Sequence, residues 1–430
     1  MMSLNLSFKY VNKDLVFDPK KYEEKVRQIN ALLESEWQNP SNFVGWLHYA
    51  SHINKDLVES IKKQAKFFRE NFDTLVVCGI GGSYLGPRAV IEAVNGLMPE
   101  DPFKIVYFGQ TLDPNYSAQI VEYLKKRNFC VVCISKSGTT TETSVAFRIL
   151  RNMLEEKLGK EGASKAIACV TSIGKGALYK MATQEGYNTF ELPDNIGGRY
   201  SVITPVGLLP IACAGIDIEN FIGGFVQAEK DFNSPELKEN FAYQYAAEEN
   251  LLYEKGYRVE LLITYEPRLQ SLNEWYKQLF DESNGKEGKG LLIMSSIFTT
   301  DLHSLGQYIQ EGTKDLFETV LLFNTPKKDL VIPWDEQNLD ELNYIAGKSL
   351  SYVNKKASEG TLDAHAFTGN VPNLLIEMDK LDENTLGYFL YFAMRTCAMS
   401  GYLSDVNPFN QPGVEVYKKN MFKLLGKKGY

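Results

Sequence analysis

Histidine is scarce in this chain: His48, His52, His303 and His365 are the only four in 430 residues. His48 and His52 share a helical face, but no third ligand clusters with them, so no metal centre is expected. The six cysteines (Cys78, Cys130, Cys133, Cys169, Cys213 and Cys397) sit inside apolar runs. They read as buried thiols of a reducing compartment, not as a disulfide framework. Cys130 and Cys133 have C-x-x-C spacing, yet in a strand they point to opposite faces, which argues against redox or zinc chemistry. No apolar run approaches the roughly 18 residues of a membrane span. The first 20 residues are interrupted by Lys9, Lys13 and Asp14, unlike a signal peptide. A soluble cytoplasmic protein is the expectation. Net positive charge is also lacking: the formal charge is -8. Neither nucleic acid nor an anionic membrane is therefore expected as partner, and an anionic substrate needs a local positive site. Without a G-x-x-x-x-G-K-[ST] sequence, nothing supports an ATP-driven reaction.

What the chain does have is ordinary globular composition, 44% apolar and 23% charged, and length for two or more domains. Apolar runs alternate with helical patterns from Leu75 to Leu192, and again from Val259 to Gly401. This predicts an α/β fold: two three-layer α/β/α domains with mainly parallel sheets, plus helical segments at both ends. The expected divisions are an N-terminal helical arm over 1–65, a first α/β domain over 66–215, a second over 216–405, and a loop and helix over 406–430. Helices are also predicted over 142–158 and 342–356, with a possible strand at 330–332. No clear repeat links the halves.

The centre of the pattern is Phe129–Thr143. An apolar strand, Phe129–Ile134, runs into Ser135-Lys136-Ser137-Gly138-Thr139-Thr140-Thr141, and then into a helix. Free amides and the positive end of the helix dipole favour an anion there. Capping alone would explain one or two hydroxyls; six of the eight non-glycine residues from Ser135 to Thr143 carry one, which points to phosphate. Gly79-Ile80-Gly81-Gly82-Ser83 follows another strand. Its spacing is not G-x-G-x-x-G, and Phe108-Gly109-Gln110 stands where a ribose-binding carboxylate would be, so no nicotinamide or flavin cofactor is expected. A loop that lets a small sugar approach the backbone fits better.

Four further stretches carry reactive side chains. Gly197-Gly198-Arg199-Tyr200-Ser201 places an arginine after a tight passage, for phosphate or a developing oxyanion, or simply on a turn. Glu282 closes an aromatic-rich helix before Asn284-Gly285, as a base or as a solvated cap. His303 lies in the first turn of a helix after Phe298-Thr299-Thr300-Asp301, as an acid–base group or a polar cap contact. Asn407–Glu415 is a turn-rich loop that can carry Lys418 over a site; alone, Lys418 reads as a surface lysine.

Together, Gly79–Arg88, Ser135–Thr143, Gly197–Gly207, Asp281–Lys286, Phe298–Gly312 and Asn407–Lys418 resemble the glucose-6-phosphate isomerase family in its shorter bacterial form. Gly-Gly-Arg-Tyr-Ser and Phe-Asn-Gln-Pro-Gly-Val-Glu-x-x-Lys are the most specific segments. Asn410 stands where the family often has Asp, and the resemblance covers roughly residues 40 to 425. It implies two sugar-isomerase-type domains, a homodimer with shared active sites, a hexose 6-phosphate substrate, and no cofactor. It implies Glu282 as the base moving a proton between C2 and C1, and Arg199 beside the cis-enediolate. His303, from the dimer partner, and Lys418 would serve ring opening. Ser135, Ser137 and Thr140 would cradle the phosphate, with Lys136 and Thr143 beside them. Gly82, Ser83, Gln278 and Gln411 would contact the sugar. The alternatives are a non-catalytic sugar-phosphate sensor, which has no need of Glu282, His303 and Lys418 together, and an isomerase of another hexose phosphate.

Overall fold

A computed structural model describes residues 4–429. Its ten strands are β1 (Asn5–Tyr10), β2 (Thr74–Cys78), β3 (Lys104–Phe108), β4 (Phe129–Ile134), β5 (Ile167–Thr171), β6 (Asn188–Glu191), β7 (Val259–Thr264), β8 (Leu292–Ile297), β9 (Leu316–Thr325) and β10 (Asn373–Lys380). They make two five-stranded sheets. The first is ordered β3-β2-β4-β5-β6 with every pair parallel. β2, β4 and β5 are buried at every residue, which is why they read as unbroken apolar runs. Within β4 the faces alternate. Cys130, Val132 and Ile134 join the large core shared with the second half, whereas Val131 and Cys133 join a separate cluster with Phe147, Leu150 and Leu178. All six cysteines are buried and free.

From β2 the chain crosses to β3 on one side, and then to β4 on the other. Order reverses at the β2/β4 pair, so the loops leaving these strands diverge and open a crevice at their carboxyl ends. These are the loops Gly79–Ser83 and Ser135–Thr140. The second sheet, β1-β10-β9-β7-β8, repeats the plan: β7 lies between β8 and β9, with β10 outside β9. The halves thus share a strand order that no sequence repeat announces. β1 adds an antiparallel edge, Leu6 opposite Ile376, so the N-terminal arm completes the second sheet.

The helix Glu383–Leu403 runs through the centre and is buried along most of its length. It crosses the helix Ile218–Asp231 at two glycines: a Cβ on Gly224 would lie 1.9 Å from the Asn384 carbonyl oxygen, and one on Gly387 2.3 Å from that of Phe221. The sequence pattern does not reveal the helix Ile218–Asp231, because Gly223-Gly224 looks like a break; packing overrides propensity there. The predicted helix over 342–356 is corrected. Gly347, with φ 79°, separates a 3-10 turn, Leu342–Ile345, from a helix, Leu350–Asp363. The possible strand at 330–332 is a single bridge, Val331 to Ser349. The helix starting at Thr141 runs to Ala166 with a break at Gly159. Among the described residues no helix is long and apolar enough to cross a membrane.

Candidate active site

The helix Thr141–Ala166 begins without any side-chain cap. Elsewhere the chain caps with care: Asp113, Thr204 and Asp217 each accept amides of the helices they precede. At this start Thr140 leaves its hydroxyl uncommitted. Ser135 Oγ accepts from Gly138 N at 3.1 Å, and Ser137 Oγ bonds Thr139 Oγ1 at 2.9 Å, so the loop is folded by its own hydroxyls. An uncapped helix start at a sheet's switch point has free amides and a positive dipole end, which suit an anion. Lys136 departs from expectation. Its ammonium donates to the carbonyls of Asp194 and Ile196 at 2.8 and 3.2 Å, and burial pulls its pKa down. It ties the phosphate loop to the approach of Arg199, and its charge is directed away from the cradle. Thr143 also turns from the crevice: its buried side chain lines a cavity behind the loop.

The neighbouring loop, Gly81–Ser83, touches the Arg199 turn directly. A Cβ on Gly82 would lie 2.0 Å from Gly198 O, so only glycine permits this approach. Arg199 is 2% exposed and organises the site. Its Nε donates to Ser283 Oγ at 2.6 Å, and its Nη2 to Pro408 O at 2.6 Å. Its Nη1 donates to Gln411 Oε1 at 3.2 Å and stands 3.5 Å from Glu282 Oε1. One guanidinium therefore binds the helix Gln270–Asn284 to the loop 407–411, in the fixed fork that only arginine offers. Glu282 lies in the last turn of that helix. Gln278, one turn earlier, donates to Glu282 Oε2 at 2.9 Å, and its Nε2 packs where a Gly81 Cβ would sit. The loop Gly81–Ser83, Gln278, Glu282, Arg199 and Gln411 thus form one continuous surface.

Lys418 pairs with Glu415 at 2.8 Å. That bond holds its pKa above the usual lysine range, and the charge of Glu282 adds to the effect. His303 is not brought to Glu282. Asp281, next to Glu282, accepts from Ile293 N at 2.9 Å at the start of β8, while exposed His303 follows the end of β8. Six extended residues separate the two ends by about 20 Å. Sequence reasoning missed Ser283 and Lys286. Ser283 is the buried acceptor of Arg199. Lys286 donates to Asn407 O, and burial next to Arg199 lowers its pKa to about 8. Both sit in Glu282-Ser283-Asn284-Gly285-Lys286, a run whose polarity around a buried helix end was the available signal.

An uncapped, hydroxyl-ringed helix start beside a carboxylate held by a buried guanidinium equips an enzyme for acid–base chemistry on a phosphorylated small molecule. Comparison with known proteins narrows the class. The family model described as Phosphoglucose isomerase matches residues 50–428. A glucose-6-phosphate isomerase of Staphylococcus aureus is 51% identical over 414 residues, covering 96% of this chain and 93% of that protein. A hypothetical protein of Thermus thermophilus superposes with a TM-score of 0.88 at 27% identity, over 98% of this chain and 100% of the other. A glucose-6-phosphate isomerase of Chlamydia trachomatis has the same fold, with a TM-score of 0.83 at 22% identity, over 99% of this chain and 88% of the other. The chain belongs to the phosphoglucose isomerase family.

Proposed function

We propose that this site interconverts glucose 6-phosphate and fructose 6-phosphate through an enediolate, the reversible step shared by glycolysis and gluconeogenesis. The observation that carries the reading is the clamp on Glu282: one carboxylate oxygen accepts from Gln278, and the other faces Arg199 at 3.5 Å. A base fixed at one end and charge-matched at the other can take the C2 proton and return it to C1 without reorienting. Arg199 offsets the charge that develops on O1 and O2. The phosphate, held by Ser135, Ser137, Thr140 and the uncapped amides, supplies orientation remote from the reacting bond. Gly82 lets the sugar lie against backbone, and Gln411 closes the other side from the loop that Arg199 holds.

Ring opening needs an acid at the ring oxygen and a base at the C1 hydroxyl. Lys418 lies near enough to feel Glu282; the partner subunit's His303 is the second group. The homodimer is part of this reading. Its support is the exposed histidine and a segment rich in exposed large apolar side chains, with Leu330 69%, Trp334 72%, Leu339 85% and Tyr344 78% exposed. The two sheets are read as two sugar-isomerase-type domains, 66–215 and 216–405, flanked by the 1–65 arm and the 406–430 loop and helix. Support for the division is that the helix Pro205–Cys213 packs on Lys55–Asn71, whereas Ile218–Asp231 packs on Glu383–Leu403. The protein acts in the cytoplasm, in keeping with its buried free thiols.

The test is proton exchange followed by NMR, with fructose 6-phosphate in deuterated water. Glucose 6-phosphate carrying deuterium at C2 is expected, together with some unexchanged product from a shielded base. Glu282→Gln should abolish both conversion and exchange while sugar-phosphate binding survives. A Glu282→Gln enzyme that still turns over, or a wild type that binds and neither converts nor exchanges, would overturn the assignment.

A further inference from the structure

A second cavity lies behind the phosphate loop, between the helices Thr141–Ala166 and Ala177–Glu185. Its volume is about 210 Å³. An apolar cavity of about 150 Å³ admits benzene, so this one has room for a ring and a substituent. Phe147, Leu178 and Met181 form apolar walls, and Thr143, Arg148 and Arg151 contribute polar ones. It is not the crevice described above. Phe147 and Leu178 belong to the apolar cluster on the Cys133 face of the first sheet, whereas Tyr200, next to Arg199, belongs to the core on the Ile134 face.

Two groups lining the cavity have unmet hydrogen-bonding capacity. Thr143 is 2% exposed, and its Oγ1 has no hydrogen-bond partner. Arg151 Nε is also buried without a hydrogen bond, although the guanidinium is ion-paired with Glu155 Oε1 at 3.5 Å and its Nη1 donates to Met181 Sδ at 3.3 Å. Arg148, exposed at the rim, forms no ion pair among the described residues. Buried polar atoms without partners are uncommon because each loses its water without replacement. Here the Thr143 hydroxyl and the Arg151 guanidinium sit with the guanidinium of Arg148 over an apolar floor.

We propose that this cavity is a second binding site, for a small anion with a compact apolar body, of the aromatic carboxylate class. The ring lies on Phe147 and Leu178, and the carboxylate meets Arg148 and Arg151. The cavity also touches Ser135 and Gly138, so its occupant loads the phosphate loop from the rear. Binding at the two sites is then coupled, and the coupling is reciprocal. The effect falls on KM for the sugar phosphate, because Glu282, Arg199 and Gln278 do not line this cavity.

The probe is benzoate, followed by saturation-transfer NMR on the full-length enzyme and by steady-state kinetics. Saturable binding is expected with and without saturating fructose 6-phosphate, together with a change of about twofold or more in KM and little change in kcat. Arg148→Ala removes an exposed charge, and Ala177→Leu narrows the mouth; both should keep basal turnover and weaken benzoate binding about tenfold. Displacement of benzoate by fructose 6-phosphate in simple competition would place it at the front and overturn the proposal. So would unchanged binding in both variants, or no saturable binding in the wild type.

Discussion

Replacing Gly82 by alanine tests how closely the sugar loop and the Arg199 turn must approach. The new methyl would lie 2.0 Å from Gly198 O, 2.1 Å from Gly198 C and 2.7 Å from Arg199 N. Ordinary contact begins at 3.4 Å, so the turn must retreat by about 1.4 Å. All three obstacles are backbone atoms, and no side-chain rotation relieves them. The 3-10 turn Gly198–Tyr200 carries Arg199, whose bonds to Ser283 and Pro408 are each 2.6 Å. A retreat of that size stretches both to about 4 Å, outside hydrogen-bonding range. A misplacement of about 1 Å commonly costs about 10²-fold in rate, and loss of an oxyanion donor costs about 10²–10³-fold. We therefore expect kcat/KM for fructose 6-phosphate to fall about 10²-fold or more, chiefly in kcat, with a stability loss of about 1–3 kcal/mol from overpacking. A coupled glucose 6-phosphate assay and a thermal melt read the two effects separately. Wild-type kcat/KM within threefold, with an unchanged melt, would refute the idea that this contact sets the Arg199 position.

Arg199→Lys keeps the charge but cannot reach Ser283, Pro408 and Gln411 at once; kcat should drop about 10²-fold, and hydrogen exchange of the 407–411 loop should accelerate. Mixing inactive Glu282→Gln with inactive His303→Ala, then exchanging subunits, should restore about a quarter of wild-type activity if each site uses both protomers, and none if it does not. Glu248 is fully buried, and burial raises its pKa to about 7. Its ionised form is disfavoured in the folded state, so the wild type loses stability as pH rises from about 4.5 to 7. Glu248→Gln removes that penalty and can still accept from Phe17 N. It should be more stable by at most about 3 kcal/mol at pH 8, with the gain vanishing as pH falls through that window, as urea titrations would show.

Much of the fold was legible because its strands are buried on both faces. Val131, Val132 and Ile134 leave little room for another reading, and hydroxyls at the end of β4 mark the proposed anion site. Arg199 and Glu282 stood out locally as candidates with bland alternatives beside them, and only the resemblance gave them one role each and added Gln411. Their convergence depends on a helix end, a 3-10 turn and a distant loop meeting, and no local pattern encodes that. Lys136 shows the limit from the other side. A lysine in a phosphate loop suggests a phosphate ligand, yet the carbonyls of Asp194 and Ile196, 58 and 60 residues away, claim its ammonium. Glycine defeated the helix at 218–231 because the close crossing that rewards Gly224 is a tertiary fact.

The antiparallel edge formed by β1 has a consequence for synthesis. Asn5 pairs with Glu377, so this strand finds its partner only when every residue between the two has been made. At about 5–20 residues per second the wait is on the order of half a minute. During that time the first sheet, whose strands all fall between Thr74 and Glu191, can form by itself. The arm must remain unpaired beside it, with Lys9, Lys13 and Asp14 keeping it soluble, until β10 emerges and closes the molecule.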